Sequence, residues 1–100
     1  MNFLKTTNGR VALHQRDGSL IRNIGNDDSN CASMRMEDYM ILITSKDGSV
    51  KMYSETGKIV NLIKEDGALS AAFIDNHILV FTKEGRIELW KDDGNFIKYI

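Results

Sequence analysis

The sequence predicts an all-β fold of antiparallel, four-stranded propeller blades, and three observations predict it. First, one phrase occurs three times in the 100 residues, at positions 7–24, 46–63 and 83–100. Second, apolar residues alternate with polar ones inside each phrase, as they do in a strand whose two faces differ. Third, seven of the eight glycines stand in turn pairs such as Asn8-Gly9, and proline is absent, so every backbone N–H can join a sheet ladder.

The spacing of the repeat matches the size of a propeller blade. The first glycine of the phrase stands at positions 9, 48 and 85 and the second at 18, 57 and 94, so the phrases recur after 39 and then 37 residues. A period of this length indicates a repeat architecture and outranks local patterns. We therefore expect a single domain over 1–100, with an incomplete blade at 1–24 and full blades at 30–63 and 67–100.

The first repeat has room for three strands only. Counting back from Gly9, its first strand begins at about Asn2, which leaves no residues for an innermost strand. Val11 and Leu13 alternate in the next strand, and the pair Asp17-Gly18 separates that strand from the last one. With four strands in each of the other repeats, the sequence predicts eleven strands.

The second and third repeats each predict four strands, at 31–36, 40–45, 49–54 and 58–63, and at 68–74, 78–82, 86–91 and 95–100. Their first strands contain small residues ("CASM" and "ALSAAF"), which suit the crowded innermost position around a central axis. Their second strands are more continuously apolar ("YMILITS" and "HILVFT"), as expected when neighbours cover both faces of a sheet. Four-stranded units of about 40 residues that pack face to face describe propeller blades.

The stretches "DGSVKMYSETGKIVNLI" and "EGRIELWKDDGNFIKYI" resemble the latter half of blades of the WD-repeat β-propeller family. That family reads Asp-Gly-x-apolar-x-apolar-Trp-Asp, then a turn, a glycine and a strand. Trp90 stands at the family's Trp position, and Tyr53 and His14 share its column. The Asp after the Trp and the Gly-His pair before the first strand are absent, so the family's buried Asp-His-Ser-Trp network is not carried over. The resemblance implies a propeller fold that presents loops for protein binding.

A partial propeller leaves two sheet faces open, since closed propellers have four to eight blades. Half exposure of about a dozen apolar side chains would cost about 1 kcal/mol each, against a net stability of about 5–15 kcal/mol. We therefore expect the faces to be covered by further copies of the chain. A dimer that closes about six blades is preferred over a trimer that closes eight or nine. The alternative is that these residues belong to a longer propeller.

Composition argues against several functional classes. The net charge is −1, which creates no field that would attract nucleic acid or an anionic membrane. The longest apolar run, 39–43, is too short to cross a bilayer, and no signal-peptide pattern begins the chain. The single Cys31 cannot form an internal disulfide, which favours the cytoplasm.

Motif spacing argues against catalysis and against bound metal. The two histidines lack the spacing of a zinc site, and the polar loop 25–30 lacks that of a calcium loop. No phosphate loop, dinucleotide fingerprint or nucleophile elbow is present. We expect a protein that is not an enzyme and uses no cofactor.

The expected function is that of a scaffold module whose rim binds another protein, by analogy with the fold. Basic residues cluster at the turns between second and third strands, and two acidic residues lie in the longest polar loop. These candidate rim residues are Arg10, Lys46, Lys83, Arg86, Asp27 and Asp28. Acidic Asp47 and Glu84 share the same turns, so the rim does not favour nucleic acid.

Two other functions are open at this point. Pockets between blades would bind a carbohydrate or a nucleotide through the aromatic column formed by His14, Tyr53 and Trp90. The short chain is also compatible with a viral or mobile-element inhibitor that masks a host protein.

Overall fold

The computed structural model describes residues 2–100, and its regular structure consists of strands alone. The eleven strands are β1 (Phe3–Thr7), β2 (Arg10–His14), β3 (Leu20–Ile24), β4 (Ser29–Arg35), β5 (Met40–Ser45), β6 (Val50–Tyr53), β7 (Ile59–Lys64), β8 (Ala68–Ile74), β9 (His77–Thr82), β10 (Ile87–Lys91) and β11 (Phe96–Tyr99). The all-β prediction is confirmed, and the predicted strand ends differ from the observed ones by at most two residues. Within residues 2–100 no helix is long and apolar enough to span a membrane.

The strands form three antiparallel sheets in chain order. The first sheet has the order β1-β2-β3, the second β4-β5-β6-β7, and the third β8-β9-β10-β11. Within each sheet, strands that follow one another in the chain are neighbours, which is the arrangement that short hairpin turns produce. The described chain therefore consists of one sheet of three strands and two of four.

The turns owe their shape to glycine and to the aspartates beside it. At the β1–β2 turn, Asn8 and Gly9 both have positive φ, 51° and 82°, as a two-residue hairpin requires. In three other hairpins the aspartate directly before the glycine accepts a hydrogen bond from the backbone N–H two residues later, which pre-shapes the turn. These pairs are Asp17 with Ser19, Asp47 with Ser49, and Asp93 with Asn95.

Two apolar cores hold the sheets together, and the second sheet contributes to both. The core between the first and second sheets contains Val11, Leu13, Ile24, Ile41, Ile43 and Tyr53. The core between the second and third sheets contains Leu42, Val50, Met52, Ile63, Ala68, Ala71, Ile78 and Val80. Because successive residues of a strand point to opposite faces, the alternating residues of β5 enter both cores. Five of the six residues of β5 are buried.

One backbone hydrogen bond recurs at both junctions between sheets. The carbonyl of Gly9 accepts from the N–H of Ser29 at 2.9 Å, and the carbonyl of Gly48 accepts from the N–H of Ala68 at 3.0 Å. In each case the turn that contains the glycine, between β1 and β2 or between β5 and β6, is joined to the first residue of the next sheet. Strands β4 and β8, which begin at these bonds, contact each other along the same side of the molecule.

Candidate functional site

The outward face of the third sheet is mainly apolar, with Lys98 opposite Leu89 at its edge, and is left open by residues 2–100. Leu79 is paired with Leu89, and Phe81 with Ile87, so these four side chains are neighbours on one face. That face is opposite to the one that packs on the second sheet through Ile78 and Val80. The C-terminal residue extends this face, because its N–H donates to the Ile87 carbonyl at 2.9 Å. We call these residues the third-sheet open face: Leu79, Phe81, Ile87, Leu89 and Ile100.

The same positions are packed in the other two sheets. The counterparts of the Leu79–Leu89 pair are Leu4–Leu13 and Leu42–Met52, which have the same register. Those four side chains pack in the two internal cores. In the third sheet, by contrast, Phe81 is 37% exposed and Ile100 is 69% exposed. The third-sheet open face therefore has the composition of an internal junction but no neighbour within the described chain.

The outward face of the first sheet is the second open surface, and it is more polar. Phe3 pairs with His14, and their rings stack with centroids 5.3 Å apart. Leu20 is opposite His14 in the next strand and is 57% exposed. Lys5 lies beside this pair, opposite Ala12. We call these residues the first-sheet open face: Phe3, Lys5, Ala12, His14 and Leu20.

The first-sheet open face also has counterparts that are packed. In register, the Phe3–His14 pair corresponds to Ile41–Tyr53 and to Ile78–Trp90. Ile41 and Ile78 are fully buried at the two internal junctions. Two sheet surfaces pack together at each internal junction, and the chain forms this junction twice. Each open face is equivalent to one of those two surfaces.

The six predicted rim residues lie at one end of the sheets, but they differ in their contacts. Arg10 and Asp27 form a bidentate ion pair, with both nitrogen–oxygen distances 3.0 Å. This hydrogen bonding and the adjacent positive charge lower the pKa of Asp27. The backbone carbonyl of Asp28 accepts from the Lys46 N–H at 2.8 Å.

The remaining rim residues have no ion pair within residues 2–100. Lys46 and Lys83 follow β5 and β9 at corresponding turns and are exposed. The guanidinium of Arg86 lies over the ring of Tyr99, with its central carbon 4.8 Å from the ring centroid. The rim therefore combines one ion pair with three exposed cations, and the exposed acidic residues Asp28, Asp47 and Glu84 lie in the same loops.

The aromatic column predicted for a ligand pocket is distributed over three places. His14 lies on the first-sheet open face, and its Nδ1 is 3.0 Å from the Gly18 carbonyl. Tyr53 is buried between the first and second sheets, where burial raises its pKa, with a smaller effect from the charge of Asp28. Trp90 packs between the second and third sheets. The three rings thus occupy equivalent positions in different sheets and do not line one pocket.

A buried ion pair between the second and third sheets was not anticipated from the sequence. Lys64 Nζ donates to both oxygens of Glu88, at 3.0 and 3.3 Å, and the Trp90 indole N–H donates to the same carboxylate at 3.1 Å. Glu88 is only 6% exposed. A cavity of about 180 Å³ lies beside this pair and is also lined by Arg86 and Tyr99. The sequence signal is the position of Glu88 between Ile87 and Leu89, which places it on the opposite face of the strand but does not indicate what covers that face.

A second unanticipated cluster surrounds Arg35. Its guanidinium donates to Asp38 at 3.1 and 2.8 Å, to Asp92 at 3.2 Å, and to the backbone carbonyl of Asp75 at 3.2 Å. It also lies over the ring of Phe73, 4.8 Å from the centroid. Because Asp75 and Asp92 belong to the hairpins of the third sheet, Arg35 joins the second sheet to the third.

Among residues 2–100 no group of three or more histidine, cysteine or acidic residues is arranged to hold a metal ion. Comparison of the sequence with models of known protein families gives no match, and comparison with curated proteins gives none either.

Proposed function

We propose that the chain is a self-assembling, WD-like propeller module that binds another protein and is not an enzyme. The observation that carries this proposal is the repetition of one junction. The chain packs sheet on sheet twice in the same register, and its two outer sheets present the two sides of that junction to solvent. A further copy would cover the third-sheet open face with its own first-sheet open face.

Energetics support coverage of the third-sheet open face. Full burial of one large apolar side chain stabilises by about 1.5–3 kcal/mol. On this face Phe81 and Ile100 are exposed and Leu79, Ile87 and Leu89 are partly buried, so each would gain a fraction of that amount. A head-to-tail contact of the proposed type closes into a ring when the rotation between copies allows it. Two copies would supply six sheets, and this dimer is preferred over a trimer.

The proposed partner site is the rim, where loops of all the sheets in the ring would meet. Lys46, Lys83 and Arg86 are exposed there and form no ion pair within residues 2–100. Ring assembly would multiply this set of cations around one axis. The rim therefore supports binding of another protein, since repeated weak contacts on one assembly add through avidity.

The proposed assembly predicts that Ile87→Glu produces a monomer. Ile87 corresponds in register to Val50, which is fully buried at an internal junction. A carboxylate at such a position would be desolvated without a partner, which is strongly unfavourable. We expect wild type to have the mass of a dimer by light scattering at micromolar concentration, and Ile87→Glu to have the mass of one chain.

The matched control is Ile59→Glu, which makes the same chemical change on the second sheet. Ile59 is 59% exposed on a sheet that is already covered on both sides. This variant is expected to keep the wild-type mass, and circular dichroism checks that both variants keep their strands. A well-folded wild-type monomer at micromolar concentration would reject the assembly.

A further inference from the structure

The first sheet has an unpaired strand edge that is paired in both other sheets. In the second sheet, β5 lies between β4 and β6, and in the third sheet β9 lies between β8 and β10. The corresponding strand of the first sheet is β1, which pairs with β2 on one side only. Within residues 2–100 no strand pairs with its other side. We call this side of Phe3–Thr7 the β1 edge.

The surroundings of the β1 edge are open where those of its counterparts are filled. Four of the five residues of β1 are exposed, whereas five of the six residues of β5 are buried. A cavity of about 370 Å³ lies at the end of β1 and is lined by Thr7, Asn8, Arg10 and Asp27. In the second sheet the counterpart of Thr7 is Ser45, which pairs with the first residue of β4. The cavity therefore lies where a strand added to β1 would begin.

We propose that the β1 edge binds an extended segment of a partner protein as an added, antiparallel strand. An exposed edge presents backbone N–H and C=O groups that a peptide can pair with, and pockets beside the edge then select its side chains. This inference rests on the proposed partner-binding function and names the class of ligand that one part of the module accepts.

The two internal counterparts define the side chains that the edge should select. Leu4 corresponds to Leu42 and Leu79, and the residues opposite those two are Ser33 and Ala72. Phe3 corresponds to Ile41 and Ile78, and the residues opposite them are Met34 and Phe73. The expected ligand is therefore an extended segment of small residues that ends in one large apolar residue.

Crowding explains why small residues are required. Strand β4 lies against strand β8, the first strand of the next sheet. A strand added to β1 would lie next to β4 as β4 lies next to β8. Bulky side chains at the centre of the added strand would therefore collide with β4.

The charge of β1 argues that the occupant is a different segment rather than β1 of a second copy. Lys5 is the central residue of the strand. Antiparallel pairing of β1 with itself would place Lys5 opposite Lys5, and like charges in directly opposed positions are destabilising. A neutral or acidic segment would not meet this repulsion.

The test uses a labelled peptide with the β8 sequence ALSAAFI and acidic solubilising ends, added to the full chain. Fluorescence anisotropy should show saturable binding, and a scrambled peptide of the same composition should bind at least tenfold more weakly. A peptide with N-methyl groups at alternate ladder positions should also bind at least tenfold more weakly, because it keeps the side chains but lacks the N–H donors at those positions. Equal binding of the three peptides would overturn the proposal.

Hydrogen exchange locates the bound peptide. Exchange of the backbone amides of Phe3–Thr7 should slow at least tenfold on peptide addition, while exchange in the other edge strand β11 (Phe96–Tyr99) should not change. Equal protection of both strands would indicate unspecific edge pairing and would reject the assignment.

Light scattering on the same samples separates this inference from the proposed assembly. A monomer whose β1 amides are protected by the peptide would reject the ring and support the edge site. A ring without protection at β1 would support the assembly and reject the edge site. Loss of oligomer mass on peptide addition would show that a second copy fills the edge, which overturns the assignment to a separate partner.

Discussion

Gly9 and Gly48 each approach the backbone of the next sheet so closely that no side chain fits. A Cβ atom at Gly48 would lie 2.5 Å from the backbone nitrogen of Gly67, and one at Gly9 would overlap the carbonyl of Asp27. The backbone carbonyls of Gly9 and Gly48 also accept the recurrent hydrogen bond that joins neighbouring sheets. Gly85 occupies the corresponding turn of the third sheet, yet apart from Gly85 and its two chain neighbours no residue has an atom within 4 Å of its ideal Cβ position.

This contrast predicts different costs for the same substitution at Gly48 and Gly85. Both have a positive φ, 87° and 86°, and alanine in that region is expected to cost about 1–2 kcal/mol. Gly85→Ala should therefore lower the free energy of unfolding by that amount. Gly48→Ala should cost about 1–3 kcal/mol more, because the bond to Ala68 and the adjacent backbone are displaced.

Urea unfolding of the two variants measures the difference. Gly85→Ala is the control for backbone strain alone. Equal midpoints for the two variants would contradict the role given to the close approach at Gly48.

The surroundings of one residue, Glu88, were not predicted from the sequence. Alternation correctly places Ile87 and Leu89 on one face and Glu88 on the other. The second sheet covers the face of Glu88 and supplies Lys64 as its ion-pair partner, which the alternation does not indicate. Alternation tells which side chains share a face, whereas the neighbour that covers the face is determined by packing of distant segments.

At the scale of the element, strands and turns were predictable because their signals are local. The pairs Asn8-Gly9 and Asp47-Gly48 fix hairpins, and hairpins fix the order of strands within a sheet. The apolar run of β5 also indicated coverage of both faces, which the burial of five of its residues confirms. The cluster around Arg35 was not predictable, because its partners Asp75 and Asp92 are 40 and 57 positions away in sequence.

The cluster around Arg35 predicts that the stability of the fold depends on pH. Hydrogen bonds from Arg35 lower the pKa of Asp38 from its ordinary 3.8, although partial burial of the carboxylate opposes the shift. A carboxylate with a lowered pKa in the folded state stabilises the fold above the unfolded pKa, and this contribution disappears as the pH falls through the folded value. The stabilisation by Asp38 is therefore complete at pH 7 and decreases below about pH 4.

Asp38→Asn should accordingly destabilise at pH 7 and approach wild type at pH 3. Because the Asp38 side chain is 42% exposed, solvent screening limits the expected loss at pH 7 to about 1 kcal/mol. Chemical denaturation at the two pH values gives the measurement, and Glu55→Gln in an exposed turn is the control. A loss that is equal at both pH values would contradict the ionic role.

At the scale of the whole molecule, the three sheets form a row with two different ends. The described chain measures 39 × 27 × 19 Å and does not close on itself. The third-sheet open face at one end is mainly apolar, with Lys98 opposite Leu89, while the first-sheet open face at the other includes Lys5 and His14. Two unlike ends favour head-to-tail contacts over contacts between identical faces.

Head-to-tail assembly predicts that two different monomeric variants restore one contact when mixed. Phe3 corresponds to Ile41 and Ile78, which are fully buried at internal junctions, so Phe3→Glu should block the first-sheet open face. Ile87→Glu blocks the third-sheet open face, and each variant alone should be a monomer. In an equimolar mixture, the intact first-sheet face of one variant meets the intact third-sheet face of the other. Native mass spectrometry with one variant labelled with ¹⁵N should show a mixed dimer, weaker than the wild-type assembly because no second contact closes the ring. If Phe3→Glu alone keeps the wild-type mass, the third-sheet faces pair with each other and the head-to-tail arrangement is wrong.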